Sequence, residues 1–376
     1  MQRLLAEAVW DADKVRDDVG GYVVDELGDP NAVLILDDTG DLKKGSASVG
    51  IQRQYTGTAG RIENAQVAVF LAYASRHGYT LIDREVYLPR SWTDDPARMS
   101  AAGVPEHVRF ATKIALARRM LTRAAASGVP AAWATADEFY GGDRGLRRDL
   151  QTRGLGHVLA VARNHRVTTS PALGPQRVDQ VTAALSARAW NRYSAGAGAK
   201  GHREYDWAWV AITAPDDEQA GHHWLLVRRR ICDGELAFYR CWSPTPVALP
   251  TLVRVAGTRW CIETAFQTSK NATGLDEHQV RRWDSWYRYT TLVMLAHAIL
   301  TVIAARQRAQ RPPDDQKLIP LTVNEIRRLF AKLLANPVHT ITHWMAWSRW
   351  RRLHQARAKT SHYRRRGQLA DRPTPT

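Results

Sequence analysis

Two acidic pairs, Asp37-Asp38 and Asp137-Glu138, each close a short apolar run, residues 33–36 and 131–136. Carboxylates at the ends of buried strands stand where open α/β sheets build their sites. An acidic pair in a loop also serves as a solvated turn or a helix cap, so neither pair alone assigns chemistry. A third acid, Glu263, follows Arg259 and precedes Lys270 at helical spacing, which puts all three on one face. An intrahelical Arg-Glu pair, worth about 0.3 kcal/mol, is the plainer account of that spacing. Three carboxylates in a strongly basic chain point instead to a cage for divalent metal. Mg²⁺, with Mn²⁺ as substitute, prefers carboxylate oxygen and leaves positions for water and phosphate. Two such ions about 3.5–4 Å apart can activate a water or 3′-hydroxyl and stabilise the leaving oxygen in a displacement at phosphorus.

The charge balance favours that substrate. The 376 residues carry 53 Lys and Arg against 37 Asp and Glu, a formal charge of +16, with 44% hydrophobic composition. That is folded globular material with a surplus of cations, pointing to nucleic acid before an anionic membrane or a small acidic ligand. Of the basic residues 44 are Arg and 9 are Lys. Codon bias accounts for that ratio but not for the net charge, and the planar Arg fork suits phosphate oxygens. Cys232, Cys241 and Cys261 lack Cys-x-x-Cys spacing, so a disulfide framework and a zinc knuckle are not indicated and a reducing cytoplasm fits. The longest apolar run, residues 290–305, is short of the roughly 20 residues a bilayer needs and reads as a buried core helix. The charged N-terminus has no apolar signal core, and neither export nor a membrane partner is expected.

The elements that must position these acids can be read from periodicity. Residues 1–30 form a helical preface over 4–26. Residues 31–162 give a buried strand at 33–36 that ends at Asp37, a strand at 66–73, and its hairpin partner at 79–88. A helix at 107–127, a strand at 131–136, a helix at 143–152 and a strand at 157–162 follow. Residues 163–250 change to short alternating runs at 205–212, 224–229 and 235–239, an antiparallel β insert. Residues 251–308 return to helix, at 251–270 with Glu263 and at 285–308. Residues 309–376 are helical and basic, at 323–335 and 338–358, after a loop at 312–315. The expected fold is α/β: a mixed sheet with helices on both faces, an antiparallel insert and a helical C-terminal region.

Four stretches carry a more specific signal: LDDTGDLKKGSASVGIQRQYTGTAGRIENAQ, LIDREVYLPRSWTDDPAR, VPAAWATADEFYGGD and RWCIETAFQTSKNATGLDEHQVRRWDSWYRYTTLVMLAHAIL. In that order they resemble the bacterial DDE transposases of insertion-sequence family 701, and the resemblance runs from about residue 9 to about residue 300. It implies an RNase H-like core holding Asp, Asp and Glu, a β-rich insert before the Glu, and Mg²⁺-dependent cut-and-paste transposition by a homodimer on paired element ends. Carried over residue by residue, the metal-binding, catalytic acids fall on Asp37, with Asp38 the second choice, Asp137 and Glu263. The wider superfamily's Tyr-Arg-Glu-Lys signature falls on Arg259, Glu263 and Lys270, which assigns Arg259 and Lys270 to DNA phosphate. Its Tyr position is Ala256, a departure that leaves the hairpin pathway unassigned. The family's N-terminal helical region, taken to bind the terminal repeats, is longer than residues 1–30, so weaker end recognition is expected.

Other groups take two readings. Lys43, Lys44, Arg53 and Arg61 follow the first strand and fit a phosphate clamp or solvated hairpin charge equally. Trp207, Trp209, Trp224 and Trp242 could stack an extruded base, although core packing is the better expectation. His222-His223 lacks a third ligand at zinc-like spacing. Trp344, Trp347 and Trp350 read as one buried helix face. The tail cations, including Arg364, Arg365 and Arg366, suit sequence-independent contact with DNA through counterion release; a solvated tail is the alternative. Two other functions compete with transposition. A decayed or repurposed relative would keep DNA binding without cleavage, and a glycosidase would use two of the acids as a metal-independent pair.

Overall fold

The computed structural model describes residues 2–198, 201–279, 281–310, 318–335, 340–365 and 367; the expected loop at 312–315 and Arg366 lie outside them. Helices α1 (Gln2–Ala6) and α2 (Ala12–Leu27) come first, the second capped by the Asp11 carboxylate. Strands β1 (Val33–Leu42), β2 (Gln52–Thr56), β3 (Arg61–Ala74) and β4 (Tyr79–Val86) follow. Then come α3 (Arg90–Thr93), α4 (Pro96–Ala101), α5 (Lys113–Ala126), β5 (Trp133–Ala136), α6 (Glu138–Gly141), α7 (Arg144–Thr152) and β6 (Gly156–Val161). The next part holds β7 (Arg166–Val167), β8 (Gln176–Arg177), α8 (Val178–Ala183), β9 (Asn191–Gly198), β10 (Gly201–Ala211), β11 (His222–Arg230) and β12 (Leu236–Ser243). Helices α9 (Leu249–Thr258), α10 (Trp260–Thr273), α11 (Trp283–Ala309), α12 (Val323–Phe330) and α13 (Ile341–Arg365) complete the described chain.

β3 runs antiparallel to both β1 and β4, whereas β5 is parallel to β1 and to β6. Three antiparallel strands continued by two parallel ones, with helices on both faces, make the α/β mixed sheet that the periodicity predicts and the RNase H-like core that the family resemblance implies. The insert does not build a separate sheet. β12 pairs antiparallel with β6, β11 with β12, β10 with β11 and β9 with β10, so one sheet of ten strands crosses the molecule. Among the described residues only β7 and β8 stand apart, as a small hairpin.

Several boundaries differ from the periodicity, three of them near the acids. The first strand runs on past Asp37 to Leu42, because its ladder with β3 continues to the Leu42–Ala65 pair although its ladder with β5 stops at Leu36. The helix expected at 107–127 starts only at Lys113, where the Thr112 hydroxyl accepts from the Ala115 N–H at 3.1 Å and caps it. The helix expected at 251–270 is two helices, α9 and α10, meeting at Arg259.

Alternation along β1 sorts the core. Val33 and Ile35 face a cluster that includes Leu252, Val253, Ile262 and Phe266 of α9 and α10. Leu34 and Leu36 face the other side, with Val19 and Val23 of α2, Leu116 and Met120 of α5 and Leu146 of α7. Phe70 of β3 meets Phe266 edge to face, ring centroids 5.4 Å apart. Among the described residues α11 is the one helix long and apolar enough to cross a membrane; here it packs against α2, β4 and α10.

A carboxylate cluster at the ends of two parallel strands

Asp37 and Asp137 each follow the last pair of the parallel ladder, Leu36 opposite Ala136. In-register parallel strands put side chains at equal positions on the same face. Asp37 therefore continues the Val33–Ile35 side of β1, and that is the side covered by α10, whose first turn carries Glu263. Asp38 points the opposite way, and both of its oxygens are engaged. Lys113 Nζ donates to Oδ2 at 2.8 Å and the Tyr140 hydroxyl to Oδ1 at 3.1 Å. Neither Lys113 nor Tyr140 is singled out by the sequence, since a lysine opening a helix and a core tyrosine carry no spacing signal.

Asp137 is fixed as the cap of α6, its Oδ1 accepting from the N–H groups of Phe139 at 3.0 Å and Tyr140 at 3.3 Å. Oδ2 takes no part in that cap. The close seat of α6 on the sheet needs glycine at 141, where a Cβ would lie 1.9 Å from the Ala160 carbonyl oxygen. Arg259 stands beside the acids. Its Nη2 donates to Glu263 Oε1 at 2.5 Å, and its Nη1 reaches Asp37 Oδ2 at 3.5 Å. Where α9 meets α10 the backbone keeps helical dihedrals at Arg259, and the residues just before it are tightly packed. Gly257 presses on β9 so closely that a Cβ would sit 2.3 Å from the Ala195 carbonyl oxygen, and Arg203 takes the Gly257 carbonyl at 3.2 Å.

The electrostatics follow from burial. Burial, and then the Asp137 charge, push Asp37 up to about 7. Asp137 is also raised, chiefly by burial. For Arg259 burial works against the charge, yet Glu263, Asp37 and Asp137 outweigh it and its pKa rises. The cluster is thus short of positive charge, and its donors are hard carboxylate oxygens of the kind Mg²⁺ or Mn²⁺ takes. Its chemistry fits such an ion. In this conformation Glu263 is held by Arg259, and among the described residues no three His, Cys, Asp or Glu side chains converge as a ready metal site.

The other expected residues are placed unevenly. Lys270 donates to Thr39 Oγ1 at 3.0 Å, next to the cluster on β1, and burial lowers its pKa. Lys43 turns inward, its ammonium on Asp41 and the His278 carbonyl, whereas Lys44 is exposed. Arg364 and Arg365 are exposed at the end of α13. Trp207, Trp224 and Trp242 are buried, and Trp209 stacks on Trp224 with centroids 5.6 Å apart. Of the α13 tryptophans, Trp344 is buried and Trp350 is 56% exposed, so the three do not form one buried face. His223 is buried against the Gln219 carbonyl and Glu218.

A cleft of about 540 Å³ opens beside Asp137 and Arg259, lined also by Arg163, Arg203, Arg228 and Trp260. Sequence spacing does not reveal this arginine set, because its members lie far apart in the chain and meet only through the joined sheet. A cleft of about 640 Å³ elsewhere is lined by Trp10, Glu85, Arg119 and Arg288, and none of Asp37, Asp137 and Glu263 lines it.

Acids thus leave adjacent parallel strands of an RNase H-like sheet, and a third acid stands on the helix that covers them. Residues 1–212, more than half of the chain, match the family described as DDE superfamily endonuclease. The chain belongs to that family and is an enzyme of the nuclease and transposase class. Asp37 and Asp137 lie inside the matched residues and Glu263 beyond them. The chain is also similar to the probable transposase for insertion sequence element IS701 of Microchaete diplosiphon. The two are 25% identical over 292 residues, covering 75% of this chain and 69% of that protein. The crystal structure of the NurA nuclease from Sulfolobus solfataricus aligns with 80% of this chain and 95% of its own at 8% identity, and its TM-score of 0.28 gives it no weight.

Proposed function

We propose that the chain is a DNA transposase that hydrolyses phosphodiester bonds at the ends of its element and joins the freed 3′-hydroxyl to target DNA. The observation that carries this reading is the register: Asp37 and Asp137 end one parallel ladder on the face that α10 covers with Glu263. Asp37, Asp137 and Glu263 are the residues that would hold Mg²⁺ or Mn²⁺, which when bound supplies charge stabilisation and an activated oxygen nucleophile. Arg259 and Lys270 face the DNA end, and Lys270 is kept in place by Thr39 and the Gly40 carbonyl. The arginine-lined cleft leads strand phosphates toward the acids, Lys44 adds a contact near β1, and Lys43 steadies that loop from inside through Asp41. Arg364 and Arg365 give sequence-independent affinity. The working unit is a homodimer on paired ends, acting on DNA in the bacterial cytoplasm.

The test is cleavage and strand transfer on a supercoiled plasmid carrying the gene's own flanking DNA, with Mg²⁺ or Mn²⁺, comparing the native chain with Glu263→Gln and Asp137→Asn. Cutting at the element ends should fall by about 10²–10³-fold or more in both variants, the scale on which lost transition-state charge stabilisation acts, while DNA binding persists. Salt-sensitive binding without metal-dependent cutting by the native chain would mark a repurposed DNA-binding relative instead. Cleavage retained in either variant would remove that acid from the assignment.

A further inference from the structure

Among the described residues Arg259 is the only cation paired with Asp37 or Glu263, and one guanidinium serves both. Glu263 Oε1 is held 2.5 Å from Nη2, so that oxygen is free for a cation only once this bond is broken. The same guanidinium lines the cleft that DNA phosphate would enter, with its side chain 29% exposed and so reachable from outside. Its planar fork of donors matches a phosphate at least as well as two separate carboxylates. We infer that Arg259 is an internal counter-ion that couples metal uptake to DNA binding: it occupies Glu263 and Asp37 in the free protein and yields them when a DNA phosphate draws it away. This rests on the proposed role of Asp37, Asp137 and Glu263 as metal ligands.

Two consequences follow from linkage. Whatever moves Arg259 off the carboxylates must raise their affinity for a divalent cation, and a bound cation must by the same factor favour the conformation in which Arg259 grips phosphate. The free protein is thereby biased against holding metal without DNA. Arg259 can be displaced because its ion pair with Asp37 is long, 3.5 Å, and its side chain is part exposed. Lys270 is not part of the device: its ammonium donates to the Thr39 hydroxyl and the Gly40 carbonyl rather than to the acids.

The experiment measures Mn²⁺ affinity of the full chain by the electron paramagnetic resonance signal of free Mn²⁺, with and without a short DNA duplex, after subtracting binding by the duplex alone. Arg259→Gln should bind Mn²⁺ tighter than the native chain in the absence of DNA, within the roughly 5–150-fold range of allosteric couplings. The native chain should tighten by a similar factor when duplex is added, and Arg259→Gln should not. Arg259→Lys, which keeps the charge but cannot bridge both acids, should fall between them and controls for a folding defect in the glutamine variant. Equal Mn²⁺ affinity in native and Arg259→Gln protein, or a native affinity indifferent to DNA, overturns the coupling. Asp37→Asn separates the two levels of reading. If it weakens Mn²⁺ binding while Arg259→Gln has no effect, the counter-ion role alone is lost. If Mn²⁺ binds Asp37→Asn unchanged, the ligand assignment falls and the coupling falls with it.

Discussion

Two carboxylate clusters beside the same sheet, one half-buried and one buried, are neutralised in opposite ways. At the strand ends, Asp37, Asp137 and Glu263 share the single charge of Arg259, and burial together with Asp137 pushes Asp37 up to about 7. In the insert, the fully buried Glu218 carboxylate takes Arg147 at 3.0 Å, Gln151 at 3.0 Å and Arg240 at 3.3 Å. Burial alone would raise the Glu218 pKa, but Arg240, Gln151 and Arg147 outweigh it and hold the group at about 2. The second cluster is a finished structural joint. It ties the insert loop to α7 and β12, and through the bond from Arg147 to the Gly141 carbonyl, 2.8 Å, it braces α6 behind Asp137. The first cluster lacks the cations that would finish it, which is what a site must do if its cation comes from outside.

Beyond cleavage, the largest expected effect comes from breaking the finished joint. Glu218→Gln leaves Arg147 and Arg240 buried with their shared anion gone and should cost about 3–5 kcal/mol, measured by urea unfolding of the otherwise native chain. The pH dependence carries the same contrast. Because the folded pKa of Glu218 lies below its ordinary 4.5, its contribution is present above pH 4.5 and is lost as pH falls toward 2, on the order of 3 kcal/mol in all. Unfolding free energy of the native chain should therefore drop through that window, and Glu218→Gln should flatten the drop. A smaller effect of opposite sign is expected at the unfinished cluster. Asp37→Asn removes a carboxylate whose pKa is raised by burial and by Asp137, so at pH 7 and above it should stabilise metal-free protein and raise its melting temperature. It should also abolish the rise that Mn²⁺ produces in the native chain. A variant less stable than native without metal would mean that Arg259 already balances the cluster.

How much of this is legible in the sequence depends on how local the cause is. The buried strand before Asp37, the acid pair after β5 and the shared face of Arg259 and Glu263 are local patterns and are where the sequence places them, whereas Asp37-Asp38 ends only the parallel ladder and lies inside β1. The choice between Asp37 and Asp38 is not local, since alternation gives opposite faces but not which face α10 covers. The strand β9 escapes the periodicity because Asn191–Gly198 is rich in Gly and Ala and shows no apolar alternation; pairing with β10 makes it a strand. The close seat of Gly257 escapes it for a similar reason: the residues it meets, Ala195 and Arg203, belong to the insert. The Glu218 joint leaves no trace in spacing, because its partners come from α7, β11 and β12.

The smallest effect separates chemistry from adhesion. Arg364 and Arg365 are exposed at the end of α13, far in sequence from the acids, whereas Arg259 is committed to two carboxylates. Their contribution to DNA affinity should then be purely electrostatic. Replacing both with Ala should reduce the slope of log affinity against log salt by about one for each phosphate they neutralise, and weaken binding equally for any sequence. Cleavage per bound complex should not change, because neither side chain belongs to the strand ends where Asp37 and Asp137 stand. A fall in cleavage at saturating DNA would place the tail at the reacting end and give it a role that exposure and charge alone do not.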